Sequence, residues 1–154
     1  MNNNNIYDTN GKHLKNDALI PIIERTIVLL DDHVLFRSGL IKSCIRPFFK
    51  NILLKEFADG DITLKFVKDE LKMGRKIKLI ISDINHPGTK GNDFVREVRT
   101  YEALYNNHCR IPILIISMVE PNCFPDLISN NIIDHYISKA TDKTLIINYI
   151  RECL

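Results

Sequence analysis

Five polar side chains follow short apolar runs and together could bind a divalent cation and a phosphoryl group. They are Asp31, Asp32, Asp83, Ser117 and Lys139. Carboxylates crowded at one place repel each other unless a cation compensates, and Mg²⁺ is a hard cation that prefers their oxygens. A hydroxyl and an ammonium could bind the remaining oxygens of a phosphoryl group, whose transfer needs stabilised negative charge. If these side chains meet, the set predicts a phosphorylated aspartate.

The apolar runs before these residues are rich in β-branched side chains, which is typical of strands. We expect strands over residues 26–30, 51–57, 77–82, 111–117 and 132–138. Segments of helical period alternate with them, over residues 34–46, 61–73, 92–105, 121–129 and 142–153. Thr141 can cap the last of these helices. The alternation predicts an α/β fold in which an open parallel sheet carries helices on both faces.

The carboxyl ends of parallel strands meet at one edge of the sheet, where the working crevice of such sheets lies. Each side chain taken alone has an ordinary explanation. Asp31 or Asp32 could cap the first helix, and Asp83 could be a turn residue. Ser117 could be a strand-end hydroxyl and Lys139 a solvated charge. Independent accidents need not place acids, a hydroxyl and a base at one edge, so the combination favours a site.

Composition limits the classes of function that this site can serve. The chain has 154 residues, 45% of them apolar and 26% charged, which suits one globular domain. Its formal charge of +2 gives no electrostatic reason to expect a nucleic acid or a membrane surface as partner. The four cysteines show no Cys-x-x-Cys spacing, so neither a zinc site nor a disulfide framework is expected. No apolar run approaches about 18 residues and no secretory signal is visible, so we expect a cytoplasmic protein.

The first 24 residues form a polar, Asn-rich lead-in. This composition cannot bury enough surface to offset the entropy of ordering the chain. We therefore expect residues 1–24 to be a flexible N-terminal extension and residues 25–154 to form the domain.

Four segments resemble the response-regulator receiver domain of two-component signalling, a CheY-like module. They are residues 27–33, 79–88 with Gly91, 113–117 and 136–140. Residue types and spacing match over about residues 26–153, and residues 31–40 look most like receivers that precede a LuxR-type helix-turn-helix domain. The resemblance implies a flavodoxin-like fold, an open five-stranded parallel sheet in the order 2-1-3-4-5 with helices on both faces.

The resemblance also implies a role for each acidic residue. Asp83 would accept a phosphoryl group from a sensor histidine kinase or a phosphotransfer protein. Asp32 would ligate Mg²⁺, Asp31 would do so directly or through water, and Asn85 would offer its backbone carbonyl. The chain would be a phosphoacceptor in a phosphorelay and not an enzyme that turns over a separate substrate.

Three further residues would convert phosphorylation into a change of shape, by the same resemblance. Lys139 would pair with Asp83 and later with a phosphoryl oxygen, and Ser117 would hydrogen-bond another oxygen once its loop closes. Tyr136 would be the aromatic side chain whose rotamer reports the closure. The added negative charge would recruit the hydroxyl and the lysine and so bias a two-state surface.

Several residues depart from the receiver pattern. His86 stands where methionine is usual and is expected to fill its space, and Ala140 stands where proline is frequent. The face formed by the fourth helix and the fifth strand is bulkier than usual and contains two prolines. The residues concerned are Pro121, Pro125, Ile132, Ile133 and His135. Activation could be altered at this face even if phosphorylation is intact.

Other classes of protein stay open beside the phosphorylated receiver. One is a receiver-fold interaction module that is not controlled by phosphorylation. Another is the N-terminal part of a LuxR-type DNA-binding regulator, whose output domain would lie beyond Leu154; these residues contain no groove-reading helix, so we expect no direct nucleic-acid binding by them. A phosphatase-type hydrolase is disfavoured because its nucleophile would follow the first strand. A flavin-binding protein is also disfavoured, because it would need a Ser/Thr/Gly-rich phosphate loop after the first strand and the sequence has none at that position. A homodimer is a further option.

Overall fold

A five-stranded parallel sheet forms the centre of the molecule. The structure is a computed structural model and describes residues 25–105 and 110–154; the extension predicted over residues 1–24 lies outside the described residues. The strands are β1 (Thr26–Leu30), β2 (Leu53–Phe57), β3 (Ile77–Ser82), β4 (Ile113–Ser117) and β5 (His135–Ser138). Their order in the sheet is β2-β1-β3-β4-β5, which confirms the predicted flavodoxin-like topology.

Helices connect the strands. They are α1 (Val34–Leu40), α2 (Gly60–Lys72), α3 (Gly91–Tyr105), α4 (Pro125–Ser129) and α5 (Lys143–Cys153). α1 continues into a π-helical turn, and a 3-10 turn that begins at Pro121 precedes α4. The predicted fourth helix is split because proline lacks the N–H that a helix interior needs, so Pro125 occupies the first turn of α4. Within the described part of the chain, no helix combines the length and the apolar character needed to cross a bilayer.

Alternate side chains of the strands build two cores, one on each face of the sheet. On one face, β1, β3 and β4 pack against α1, its π-helical turn and α5. On the other face, the same strands pack against α2, α3 and α4. All residues of β1 and β4 are buried, which explains why these strands are apolar except for Thr26 and Ser117 at their ends. Polar side chains can therefore gather only at the ends of the strands.

Three strands begin later than predicted. Asn51 has a φ of 62°, a left-handed conformation that strands do not contain, and β2 starts after it. Pro112 has no N–H to donate to a neighbouring strand, and β4 starts after it. Asn131 has a φ of 51°, and the chain turns before β5 begins at His135. Local backbone chemistry thus overrides the apolar character of the flanking residues.

Two helix caps also differ from the expectations. Asp142 and not Thr141 caps α5, because its carboxylate accepts a hydrogen bond of 2.8 Å from a first-turn N–H. His33, and neither of the aspartates before it, caps α1, where its Nδ1 accepts a hydrogen bond of 3.1 Å from Phe36 N. The two aspartates are therefore not used as helix caps.

A network of ion pairs fastens α3 to the start of β4 and to the loop before β5. The Arg99 guanidinium donates to Glu102 and to Asp134, in both cases at 2.7 Å. It also donates to the carbonyl oxygens of Ile111 and Ile132, in both cases at 2.8 Å. Asp134 in turn accepts a hydrogen bond of 2.8 Å from a backbone N–H of β4. One side chain, 15% exposed, thus joins three segments.

Candidate functional site

The carboxyl ends of four strands bring the predicted polar residues together. Parallel pairing continues one step beyond the strands: Asp83 N donates to Leu30 O at 2.8 Å, and Lys139 N donates to Ser117 O at 3.0 Å. These bonds place the backbone of Asp83 beside that of Asp31, and the backbone of Lys139 beside that of Ser117. The topology of the sheet therefore places the acids, the hydroxyl and the ammonium at one edge.

Asp83 lies at the centre of this cluster. Its Oδ1 accepts hydrogen bonds from Ser117 Oγ and Ile84 N, both at 2.6 Å. Its Oδ2 accepts from Lys139 Nζ at 2.6 Å. Burial raises the pKa of the Asp83 carboxyl, but the hydrogen bonds from Lys139 and Ser117 outweigh burial, so the pKa lies below its ordinary value. The carboxylate is therefore ionised at neutral pH, and 9% of the side chain stays exposed.

Lys139 bridges carboxylates that follow two different strands. Its Nζ lies 2.6 Å from Asp83 Oδ2 and 2.7 Å from Asp31 Oδ2. The same ammonium lies 4.5 Å from the centre of the Phe36 ring, a favourable contact that the sequence did not reveal. Burial lowers the pKa of the Lys139 ammonium, but its hydrogen bonds to the two carboxylates leave the pKa above its ordinary value. Lys139 is thus a fixed positive charge within the site.

Three carboxylates are close enough to share a metal ion. One oxygen from each of Asp31, Asp32 and Asp83 lies within 4.8 Å of the others. Asp31 is buried whereas Asp32 is exposed, so the group can be reached from solvent. Asn85 is also exposed, and its N–H lies 3.3 Å from Asp83 Oδ1, which brings its peptide to the same place. Hard oxygen donors of this kind suit Mg²⁺, so the residues present fit the predicted ion.

Ser117 and Tyr136 are linked through the loop that follows β4. Ser117 Oγ donates to Asp83 and accepts a hydrogen bond of 3.2 Å from Val119 N. Tyr136 is half-buried, and its hydroxyl donates to Val119 O at 2.9 Å, with Ser117 O at 3.2 Å. Burial, reinforced by the charge of Glu120, raises the pKa of Tyr136, so the hydroxyl keeps its proton. The side chains of the two predicted switch residues therefore both form hydrogen bonds with the backbone of Val119.

Apolar side chains adjoin the cluster on the side of α1. Val34 is 62% exposed and Leu35 is 77% exposed. Both lie in the first turn of α1, which begins two residues after Asp32. Two exposed apolar side chains therefore follow the acids closely along the chain.

Comparisons with known proteins identify the fold. No protein-family model and no curated protein sequence matches the chain. The chain is similar to the signal receiver domain of the response regulator NarL from Mycobacterium tuberculosis, with 23% identity, a TM-score of 0.65, and coverage of 83% of this chain and 94% of that chain. It is also similar to a LuxR-family DNA-binding response regulator from Staphylococcus aureus, with 18% identity, a TM-score of 0.66, and coverage of 83% and 97%.

A third similar structure contains a metal ion. It is the receiver domain of the histidine kinase CKI1 from Arabidopsis thaliana complexed with Mg²⁺, with 21% identity, a TM-score of 0.67, and coverage of 84% of this chain and 91% of that chain. The three likenesses show that this chain has the CheY-like fold of response-regulator receiver domains.

Proposed function

We propose that the chain is the receiver of a two-component signalling system and accepts a phosphoryl group on Asp83 from a histidine kinase or a phosphotransfer protein. The environment of Asp83 supports this most directly. An ionised carboxylate is held between the Lys139 ammonium and the Ser117 hydroxyl, both at 2.6 Å. A structural ion pair would account for Lys139 with Asp31 and Asp83, but not for the exposed Asp32, which has an oxygen within 4.8 Å of theirs.

In the proposed transfer, an oxygen of Asp83 bonds to phosphorus while the bond from phosphorus to the donor's imidazole nitrogen breaks. Mg²⁺, held by the three carboxylates and the Asn85 carbonyl, would neutralise charge on the phosphoryl oxygens. Lys139 stays ionised and moves its hydrogen bond from the carboxylate to a phosphoryl oxygen. Ser117 exchanges its bond to Asp83 in the same way and carries the loop after β4 with it.

The exposed side chains of Val34 and Leu35 support a protein as the phosphodonor, because burying them against a partner would be favourable. The likeness in fold to a LuxR-family regulator supports an output that acts on DNA through another domain. Direct nucleic-acid binding is not part of the proposal. The association of two copies of this chain as a homodimer stays a prediction.

The proposal is tested by incubating the chain with acetyl phosphate and Mg²⁺. Intact-protein mass spectrometry is expected to show the gain of a single phosphoryl group, which hydroxylamine should remove because it cleaves acyl phosphates. EDTA should abolish the gain while the far-UV circular dichroism stays unchanged. An unchanged mass in Mg²⁺ would contradict the proposal and favour the interaction module that is not controlled by phosphorylation.

Lys139→Ala is expected to keep part of the phosphorylation but to weaken the response that follows it. The rate should fall about 10- to 150-fold, because a charge-assisted hydrogen bond is worth about 1.5–3 kcal/mol. The phosphorylation-induced changes in the amide NMR shifts of Ser117 and Tyr136 should shrink. Lys65→Ala, which removes an exposed lysine from α2, is the control. Undiminished shift changes in Lys139→Ala would count against the switch role.

A further inference from the structure

The loop between β3 and α3 is bound to the N-terminus of α2. Gly60 N donates to Pro87 O at 2.8 Å. Asp61 Oδ1 accepts from Thr89 N at 3.0 Å and from the Thr89 hydroxyl as well. We call these contacts the loop anchor. They join residues 27 or 28 positions apart, so they reflect tertiary structure and not a local turn.

The loop anchor is packed too closely to admit side chains at its glycines. A Cβ on Gly60 would lie 2.3 Å from Thr89 O. Gly88 has a φ of 75°, and a Cβ there would lie 2.9 Å from Asp59 Oδ1. The ring of His86, which is 3% exposed, lies against Gly60. The loop therefore rests on α2 as closely as a core element does.

The anchored loop also carries backbone groups that the site uses. Ile84 N and Asn85 N both donate to Asp83 Oδ1, at 2.6 Å and 3.3 Å. The Asn85 carbonyl is a proposed ligand of Mg²⁺, and only a few residues separate it from Thr89. The loop is thus held by Asp83 at one end and by the N-terminus of α2 at the other.

We propose that Asp61 is a positioning residue, which holds the β3–α3 loop in the arrangement that binds Mg²⁺ from outside the group of proposed ligands. The inference rests on the proposed function. Asp61 lies in the first turn of α2, where a negative charge favours the helix in any case. A role in the helix alone would not require two hydrogen bonds to Thr89. Both bonds are made by one carboxylate oxygen, and they fix the far end of the loop.

Asp61→Ala in the full chain tests the role. The Mg²⁺ dissociation constant, followed by the amide NMR shifts of Ile84 and Asn85, is expected to rise about tenfold, as is typical when a residue that orients a metal ligand is lost. Hydrogen exchange at the amides of Gly60 and Thr89 should accelerate in protein without metal or phosphodonor. The phosphorylation rate at saturating Mg²⁺ should stay close to the parental rate. The variant should therefore differ from the parent only in needing more Mg²⁺ to reach that rate.

Two variants separate positioning from a general effect on stability. Asp61→Asn keeps an oxygen that can accept both hydrogen bonds and is expected to restore the parental Mg²⁺ affinity. Asp69→Ala removes the same charge from an exposed position of the same helix and should change neither affinity nor exchange.

The outcomes distinguish this inference from the proposed function. Faster exchange at Thr89 with unchanged Mg²⁺ affinity in Asp61→Ala would overturn the positioning role alone. An equal loss of affinity in Asp69→Ala would overturn it too, since charge and not the loop anchor would then be the cause. A parent chain that binds no Mg²⁺ would overturn the proposed function together with the inference.

Discussion

Asp83→Asn is expected to gain no phosphoryl mass under conditions that phosphorylate the parent chain. The amide lacks the anionic oxygen that attacks phosphorus, so the rate should fall at least about 100-fold. The amide oxygen can still accept the hydrogen bonds of Ser117 and Ile84 N, and the variant should fold. Its NH₂ group would face the Lys139 ammonium, and two opposed donors should lower the free energy of unfolding by about 1–3 kcal/mol.

Intact-protein mass spectrometry measures this loss, and circular dichroism verifies the fold. Asp69→Asn is the matched control, because it makes the same change at an exposed site on α2 and should keep the full mass gain. A phosphoryl group that still appears in Asp83→Asn would show that another carboxylate is the acceptor. Peptide mapping would then identify it, with Asp32 as the first candidate because it is the exposed acid of the cluster.

Arg99→Ala is expected to cause a large loss of stability. The side chain is 15% exposed and donates to two carboxylates and two carbonyl oxygens. Its removal would leave Glu102, which is 10% exposed, without its cationic partner. Loss of one partner from such a buried pair lowers the free energy of unfolding by about 3 kcal/mol. The melting temperature should fall by roughly 10 °C for a domain of this size.

Urea and thermal unfolding measure this effect. Arg96→Ala, at an exposed position of α3, should stay within about 0.5 kcal/mol of the parent chain. Arg99→Lys keeps the charge but loses the planar fork that reaches four acceptors, so its stability should lie between the parent and the alanine variant. If Arg99→Ala were as stable as Arg96→Ala, the network would have no net stabilising role.

The gathering of the polar residues of the site at one sheet edge could be predicted because the apolar run of a strand buried on both faces ends abruptly. Asp31, Asp83 and Ser117 each stand where an apolar run gives way to polar chemistry, and parallel topology brings such ends to one edge. Lys139 was less obvious, because β5 is short and only Ile137 in it is buried. Its assignment depended on the other three; its contact with Asp83 was expected, whereas its contact with Asp31 was not.

Contacts that depend on helix surfaces and loops could not be predicted in the same way. Asp61 binds Thr89, 28 residues further along the chain, and Arg99 binds Asp134, 35 residues further along. No periodic pattern in the sequence indicates either pair. Phe36 fits the apolar face of α1 whether or not it meets an ammonium. The strand boundaries at Asn51 and Asn131 depended on backbone conformations that asparagine permits but does not require.

The Lys139 ammonium serves as a resident counter-ion, since it already balances part of the carboxylate charge where β1 and β3 end. A divalent cation that binds here would have to share Asp31 and Asp83 with the Lys139 ammonium. Repulsion between the two cations would then weaken the binding of the metal ion. The proposed Mg²⁺ site is therefore expected to bind its ion weakly and to release it readily.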